Sequence, residues 1–124
     1  MRFSGHGMPG ARCFRLTLEI PESDVLLSDF DLWHIVLNGG YLATSEAEDE
    51  AFDSELAAAG VPLAGPYPGP FMARVEQSWQ RVFDLDRTGV DPAWHGSTDE
   101  RGVQATLWQV RASQVRKVER FTAR

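Results

Sequence analysis

The residues best placed to do chemistry lie between Val25 and Gly39, where the chain reads VLLSDFDLWHIVLNG. Asp31, His34 and Asn38 are spaced by three and four residues, which puts them on one strip of a helix. The positions around them, Phe30, Leu32, Trp33, Ile35, Val36 and Leu37, are apolar. A helix apolar nearly all round is expected to be buried, and its polar groups must then find partners or line a cavity. A carboxylate, an imidazole and an amide one turn apart could floor a site for a small polar molecule or a nucleotide. Trp33 together with Gln104 and Trp108, an amide and an indole from a downstream strand, would wall it. The competing reading is structural, with His34 and Asn38 satisfying backbone groups.

Three further candidates carry less. Trp94 and His95 sit at the centre of residues 88–102, a loop long enough to serve as a lid or to be a disordered excursion. Cys13 could be a nucleophile only beside a base or cation, and no neighbour in the sequence supplies one. Asp84 and Asp86 could hold Mg²⁺, yet no third carboxylate is spaced to join them, and a solvated helix exit explains them. Phosphate loops, zinc spacings, nucleophile elbows and heptad runs are absent from the sequence. No metal and no cofactor is therefore expected.

The elements that must position these residues follow from local signals. Residues 12–20 alternate, with Phe14, Leu16, Leu18 and Ile20 on an expected core face and Cys13, Arg15, Thr17 and Glu19 opposite. After the turn at Pro21, residues 25–28 read as a strand. Ser28 and Asp31 then form an acidic capping box, and Gly39 stops the helix near Asn38. Ser45 and Glu48 cap a second, strongly acidic helix that ends at Gly60 and is expected on the surface. Four prolines in residues 61–70 make a stiff crossover. Pro70 then opens a third helix carrying Phe71, Met72, Val75, Trp79, Val82 and Phe83. Residues 103–110 alternate again, and Val115, Val118 and Phe121 mark a last strand. Ile20, Ser23 and Val25 share their offsets with Val110, Ser113 and Val115, which predicts the same turn twice.

With 124 residues and 43% apolar content, the chain can bury a real core. The expectation is a loop or disordered start over residues 1–11, then a single α+β domain over 12–124. That domain has a small, mainly antiparallel sheet of about four strands and three helices. The net charge of −6 is split between a basic end, with a balance of +4 from Arg111 onward, and −10 before it. An acidic balance excludes non-specific nucleic-acid binding. No apolar run is long enough to span a bilayer, so no membrane role is expected. A single cysteine allows no internal disulfide, which fits the cytoplasm.

Val25 to Asn38, Ser78 to Asp84 (SWQRVFD) and Val103 to Val110 (VQATLWQV), with Val115 and Phe121, together resemble a bacterial family, the domain of unknown function DUF3841. The resemblance runs from residue 12 to the end and implies no catalytic residues. It also implies a further tryptophan-rich segment at the start of other members, so a shortened member is expected here. Three functions follow in order. The first is a small-molecule or nucleotide-binding domain. The second is a protein-interaction or regulatory module using the acidic helix over residues 45–59 or the basic tail over 111–124. The third, on fold analogy alone, is an ADP-ribosyltransferase-like remnant using His34 or Asp31 on a nicotinamide cofactor.

Overall fold

The computed structural model describes residues 8–123. In order they form β1 (Arg12–Leu18), β2 (Val25–Asp29), α1 (Phe30–Leu37), α2 (Glu46–Ala58), α3 (Gly69–Ser78), a short α4 (Pro92–His95), β3 (Val103–Leu107) and β4 (Val115–Thr122). The class is α+β. The single sheet expected from the alternating segments is instead two ribbons of two strands, β1 with β4 and β2 with β3. The repeated turn explains the split. Glu22–Asp24 and Ala112–Gln114 each form one turn of 3-10 helix that leads into a strand at Val25 and at Val115. Each turn breaks a long extended run in two, so residues 12–20 and 103–110 yield strands shorter than their alternation suggests.

Two compact units share the chain. The first comprises the described residues up to Leu26 and from Leu107 on, and the second is Leu27–Thr106. The first is the antiparallel β1–β4 ribbon, with Arg12 opposite Thr122, Phe14 opposite Arg120 and Leu16 opposite Val118. Among the described residues of this unit there is no α-helix to lay over the apolar face of β1. Phe14 and Leu16, expected in the core, are accordingly 60% and 49% exposed.

The second unit holds the core. Leu32, Leu42 and Val82 form one buried cluster, and Phe52, Leu56 and Val75 form another, with Trp79 packed against both. Backbone polarity in between is satisfied by side chains: Trp79 Nε1 donates to the Gly40 carbonyl at 2.8 Å, and Ser78 Oγ accepts from Leu42 N at 2.9 Å. The second helix follows its signals, with Ser45 Oγ accepting from Glu48 N and Gly60 leaving at φ +68°, where glycine carries no Cβ penalty.

The first helix departs from its signals in two ways. Its cap is Asp29, whose carboxylate accepts from Asp31 N at 3.0 Å and Leu32 N at 3.2 Å, whereas Ser28 is the penultimate residue of β2. The helix is also not buried all round. Leu32, Trp33, Ile35 and Val36 face the core, while Phe30, His34 and Leu37, at spacings of four and three, form an outer stripe on which Leu37 is 75% exposed.

One ion pair fastens the second unit. Asp29 is fully buried, and Arg87 Nε reaches its carboxylate at 2.8 Å with Nη2 at 3.2 Å. The remaining Arg87 nitrogen donates to the carbonyls of His95 and Gly96, so residues 88–102 are tied down rather than a disordered excursion. Arg87 holds a left-handed φ of +51°, a conformation that a non-glycine residue keeps only where its surroundings demand it. Arg87→Met leaves the Asp29 carboxylate buried without its partner and should cost ~3–5 kcal/mol in denaturant unfolding. Arg74→Ala, which breaks a half-exposed pair with Glu55, should cost no more than ~1 kcal/mol in the same experiment.

Candidate functional site

The polar residues of the first helix divide into three local arrangements. Ser28 Oγ accepts from Trp33 Nε1 at 2.7 Å and from Gln104 Nε2 at 3.2 Å, so a hydroxyl at the end of β2 locks the indole and the amide together. Asp31 accepts from Gly102 N at 2.8 Å and lies 3.7 Å from Arg87, which pins the start of β3 to the helix N-terminus. His34 and Asn38 are exposed. Asn38 Nδ2 donates back to the His34 carbonyl at 2.7 Å, and the His34 ring meets Phe30 edge-on at 5.3 Å. Trp108 lies beyond the end of β3 at 99% exposure. Of the six residues, Trp33 and Gln104 are therefore brought together, and His34 and Asn38 share one helix end.

The loop pair is held from both sides. His95 contacts the Ala43 carbonyl through Nε2 at 2.7 Å, and Asp91 N donates to the Thr44 carbonyl at 2.8 Å. Trp94 stays at the surface against the His95 ring. Asp84, the first residue of the Mg²⁺ candidate, accepts from Asp86 N and Thr88 N and so closes the turn after the third helix. Among the described residues no group of three His, Cys, Asp or Glu side chains is arranged to hold a metal ion, and no helix is long and apolar enough to cross a membrane.

A denser polar cluster surrounds Glu48, on the first turn of the second helix. One oxygen accepts from Tyr41 Oη at 2.7 Å and from Arg81 Nη2 at 2.9 Å, and the other from Thr44 N and Thr44 Oγ1. Partial burial pushes against the charge, but the hydrogen bonds from Thr44, Tyr41 and Arg81 outweigh it and hold the carboxyl at about 2. With every acceptor position used, this cluster staples the start of the helix to the segment between the two core clusters.

The ribbon presents the remaining feature. A cleft of about 320 Å³ is lined by Arg12, Cys13, Phe14, Arg120, Phe121 and Thr122. That volume lies at the lower end of the range for ligand pockets. The register places Arg12, Phe14, Arg120 and Thr122 on one face, with the Arg120 guanidinium 5.5 Å from the Phe14 ring centroid. The other strand cations have acids to answer them. Arg116 pairs with Glu19 and Lys117 with Glu119, and Glu119 lies opposite Arg15. Arg12 and Arg120 form no ion pair with any described carboxylate. Sequence reasoning missed this site because it assigned Phe14 to the core. The available signal was an arginine on the same strand face as Phe14, two residues before it, combined with a basic final strand.

Residues 1–116 match the family model described as Domain of unknown function (DUF3841), and the chain belongs to that family. No curated protein and no solved structure matches it.

The Glu48 cluster sets a pH dependence. A carboxyl held at about 2 in the folded state and at its ordinary 4.5 when unfolded stabilises the fold above about pH 4.5. That contribution is lost as pH falls from about 4.5 toward about 2. Over this window the unfolding free energy of the native chain should drop by up to ~3 kcal/mol more than that of Glu48→Gln. Parallel urea titrations would measure the difference, and equal slopes for the two proteins would contradict the assignment.

Proposed function

We propose that this protein is a small-molecule-binding domain, and that its ligand site is the cleft on the β1–β4 ribbon rather than the polar strip of the first helix. The observation that carries this reading is the pair of guanidinium groups, Arg12 and Arg120, that no described carboxylate answers, beside an aromatic ring that the fold leaves 60% exposed. Charged and apolar groups standing together in a concavity are what a ligand site needs and what a plain solvated surface has no reason to keep. The strip residues argue the other way. Asp31, Trp33 and Gln104 already have partners inside the protein, and His34 and Asn38 stand on an exposed stripe. A lone cysteine without a disulfide suits a cytoplasmic setting for such a domain.

A second reading keeps a specific observation of its own. Leu16 and Val118 continue the Phe14 face along the ribbon, and both are about half exposed. A protein partner docking on the basic last strand would cover them. Amide NMR during titration with a mixture of small aromatic and polar fragments separates the possibilities. Ligand binding at the ribbon predicts shifts clustered at residues 12–14 and 120–122. Shifts clustered at residues 31–38 would return the site to the helix.

A further inference from the structure

We infer that the ribbon cleft selects an oxyanion carried on a flat ring, such as an aryl phosphate or an aryl carboxylate. This rests on the reading of the cleft as the ligand site and adds the chemistry of what enters it.

The charge requirement comes from the register. Arg12 lies opposite Thr122 and Phe14 opposite Arg120, so the two arginines are diagonal neighbours on one face. Diagonal neighbours across an antiparallel pair stand about 7–8 Å apart, within reach for two long side chains to converge on one group. Two like charges at that spacing repel unless an anion lies between them. On this ribbon the acids are placed elsewhere, Glu19 at Arg116 and Glu119 at Lys117. The lysine lowers the Glu119 carboxyl, so that acid is already committed. Each guanidinium offers a planar fork that matches two oxygens of a carboxylate or phosphate, and the Thr122 hydroxyl adds an uncharged donor on the same face. The chain's net charge of −6 opposes anion binding at long range. At physiological salt, however, charges are screened beyond about 8 Å, so the two arginines decide the local sign.

The ring requirement comes from the walls. On the face shared by Arg12 and Arg120, the Phe14 ring and the aliphatic stems of the arginines make the cleft wall largely carbon. A bare inorganic ion would be met by the guanidinium groups and the Thr122 hydroxyl but would give up hydration against the carbon wall, which returns no hydrogen bonds. A ring attached to the anion fills that space with matching apolar area. The Arg120 guanidinium already lies against Phe14, and its plane provides a surface on which a further ring can stack.

Isothermal titration of the full chain with phenyl phosphate, benzoate, inorganic phosphate and benzyl alcohol tests both requirements, with amide NMR reporting the location. Phenyl phosphate or benzoate should bind at residues 12–14 and 120–122, more weakly as salt is raised. Either acid serves, and the tighter one names the oxyanion. Arg12→Gln and Arg120→Gln should each weaken binding about tenfold or more. Arg120→Lys should restore part of the loss, because charge returns without the fork. Phe14→Leu should weaken phenyl phosphate and leave inorganic phosphate unchanged. Both arginines are exposed, and unfolding midpoints within a degree or two of the native chain would confirm that the variants fold. Inorganic phosphate binding as tightly as phenyl phosphate would overturn the ring requirement. Benzyl alcohol binding at least as tightly as the acids would overturn the anion requirement while leaving the cleft a ligand site. Absence of any shift at the cleft with all four probes would overturn the site itself.

Discussion

The Asp29 carboxylate is fully buried, and five groups compete for its two oxygens or for the arginine that answers it. Two backbone amides of the first helix and two nitrogens of Arg87 bond it directly, and Asp31 shares the guanidinium from 3.7 Å. A carboxylate at zero exposure depends on these partners to offset the loss of its hydration. The same contacts therefore decide several things at once. The helix starts at Phe30 because its orphan amides are met there. The segment after Arg87 is held because the last guanidinium nitrogen bonds the carbonyls of His95 and Gly96. The start of β3 is held because Asp31, oriented beside the same arginine, accepts from Gly102 N, while Phe30 N donates to the Gly102 carbonyl. A Cβ at Gly102 would approach the Phe30 side chain to 3.3 Å, so the closeness of this crossing is itself part of the fit.

Much of this was legible from sequence where the cause is local. Ser45, Glu48 and Gly60 act over one or two helical turns, and the second helix begins and ends where they place it. The repeated offsets at Ser23 and Ser113 correctly announced one turn geometry used twice. Ser28 and Asp29 show where local reading stops. Both are good capping residues, one position apart, and the choice between them depends on Trp33, Gln104 and Arg87, the last 58 residues away in sequence. Those partners claim the Ser28 hydroxyl for indole and amide and the Asp29 carboxylate for the guanidinium, and the cap follows from what is left. The candidate strip failed to gather for a related reason. Spacing tells which residues share a helix face, but not whether that face meets a core, and here Phe30, His34 and Leu37 meet solvent.

The ribbon site was hidden by the opposite error. Alternation in residues 12–20 identifies a strand with one apolar face, and the usual inference sends that face inward. Burial requires something to lie against, and the described residues of the first unit contribute the β1–β4 ribbon and two short turns. What the alternation did encode is the cross-strand pairing. Phe14 meets Arg120 and Phe121 meets Arg15 as cation–π contacts, one on each face of the ribbon, both at 5.5 Å.

These two contacts bear on why a ligand site would arise here. An isolated two-stranded ribbon is only marginally stable in water, because its backbone bonds compete with solvent and its side chains have partners on one side only. Covering each phenylalanine with an arginine stem removes apolar area without needing a third layer. The solution leaves a cost, since on the Phe14 face it sets a second arginine, Arg12, diagonal to the first with no described acid between them. A bound oxyanion removes that repulsion and adds a third partner to both guanidinium groups. Ligand binding and strand pairing then reinforce each other by mass action, with a stabilisation that grows as the logarithm of ligand concentration over its dissociation constant. On this reading the ribbon gains stability from its occupant.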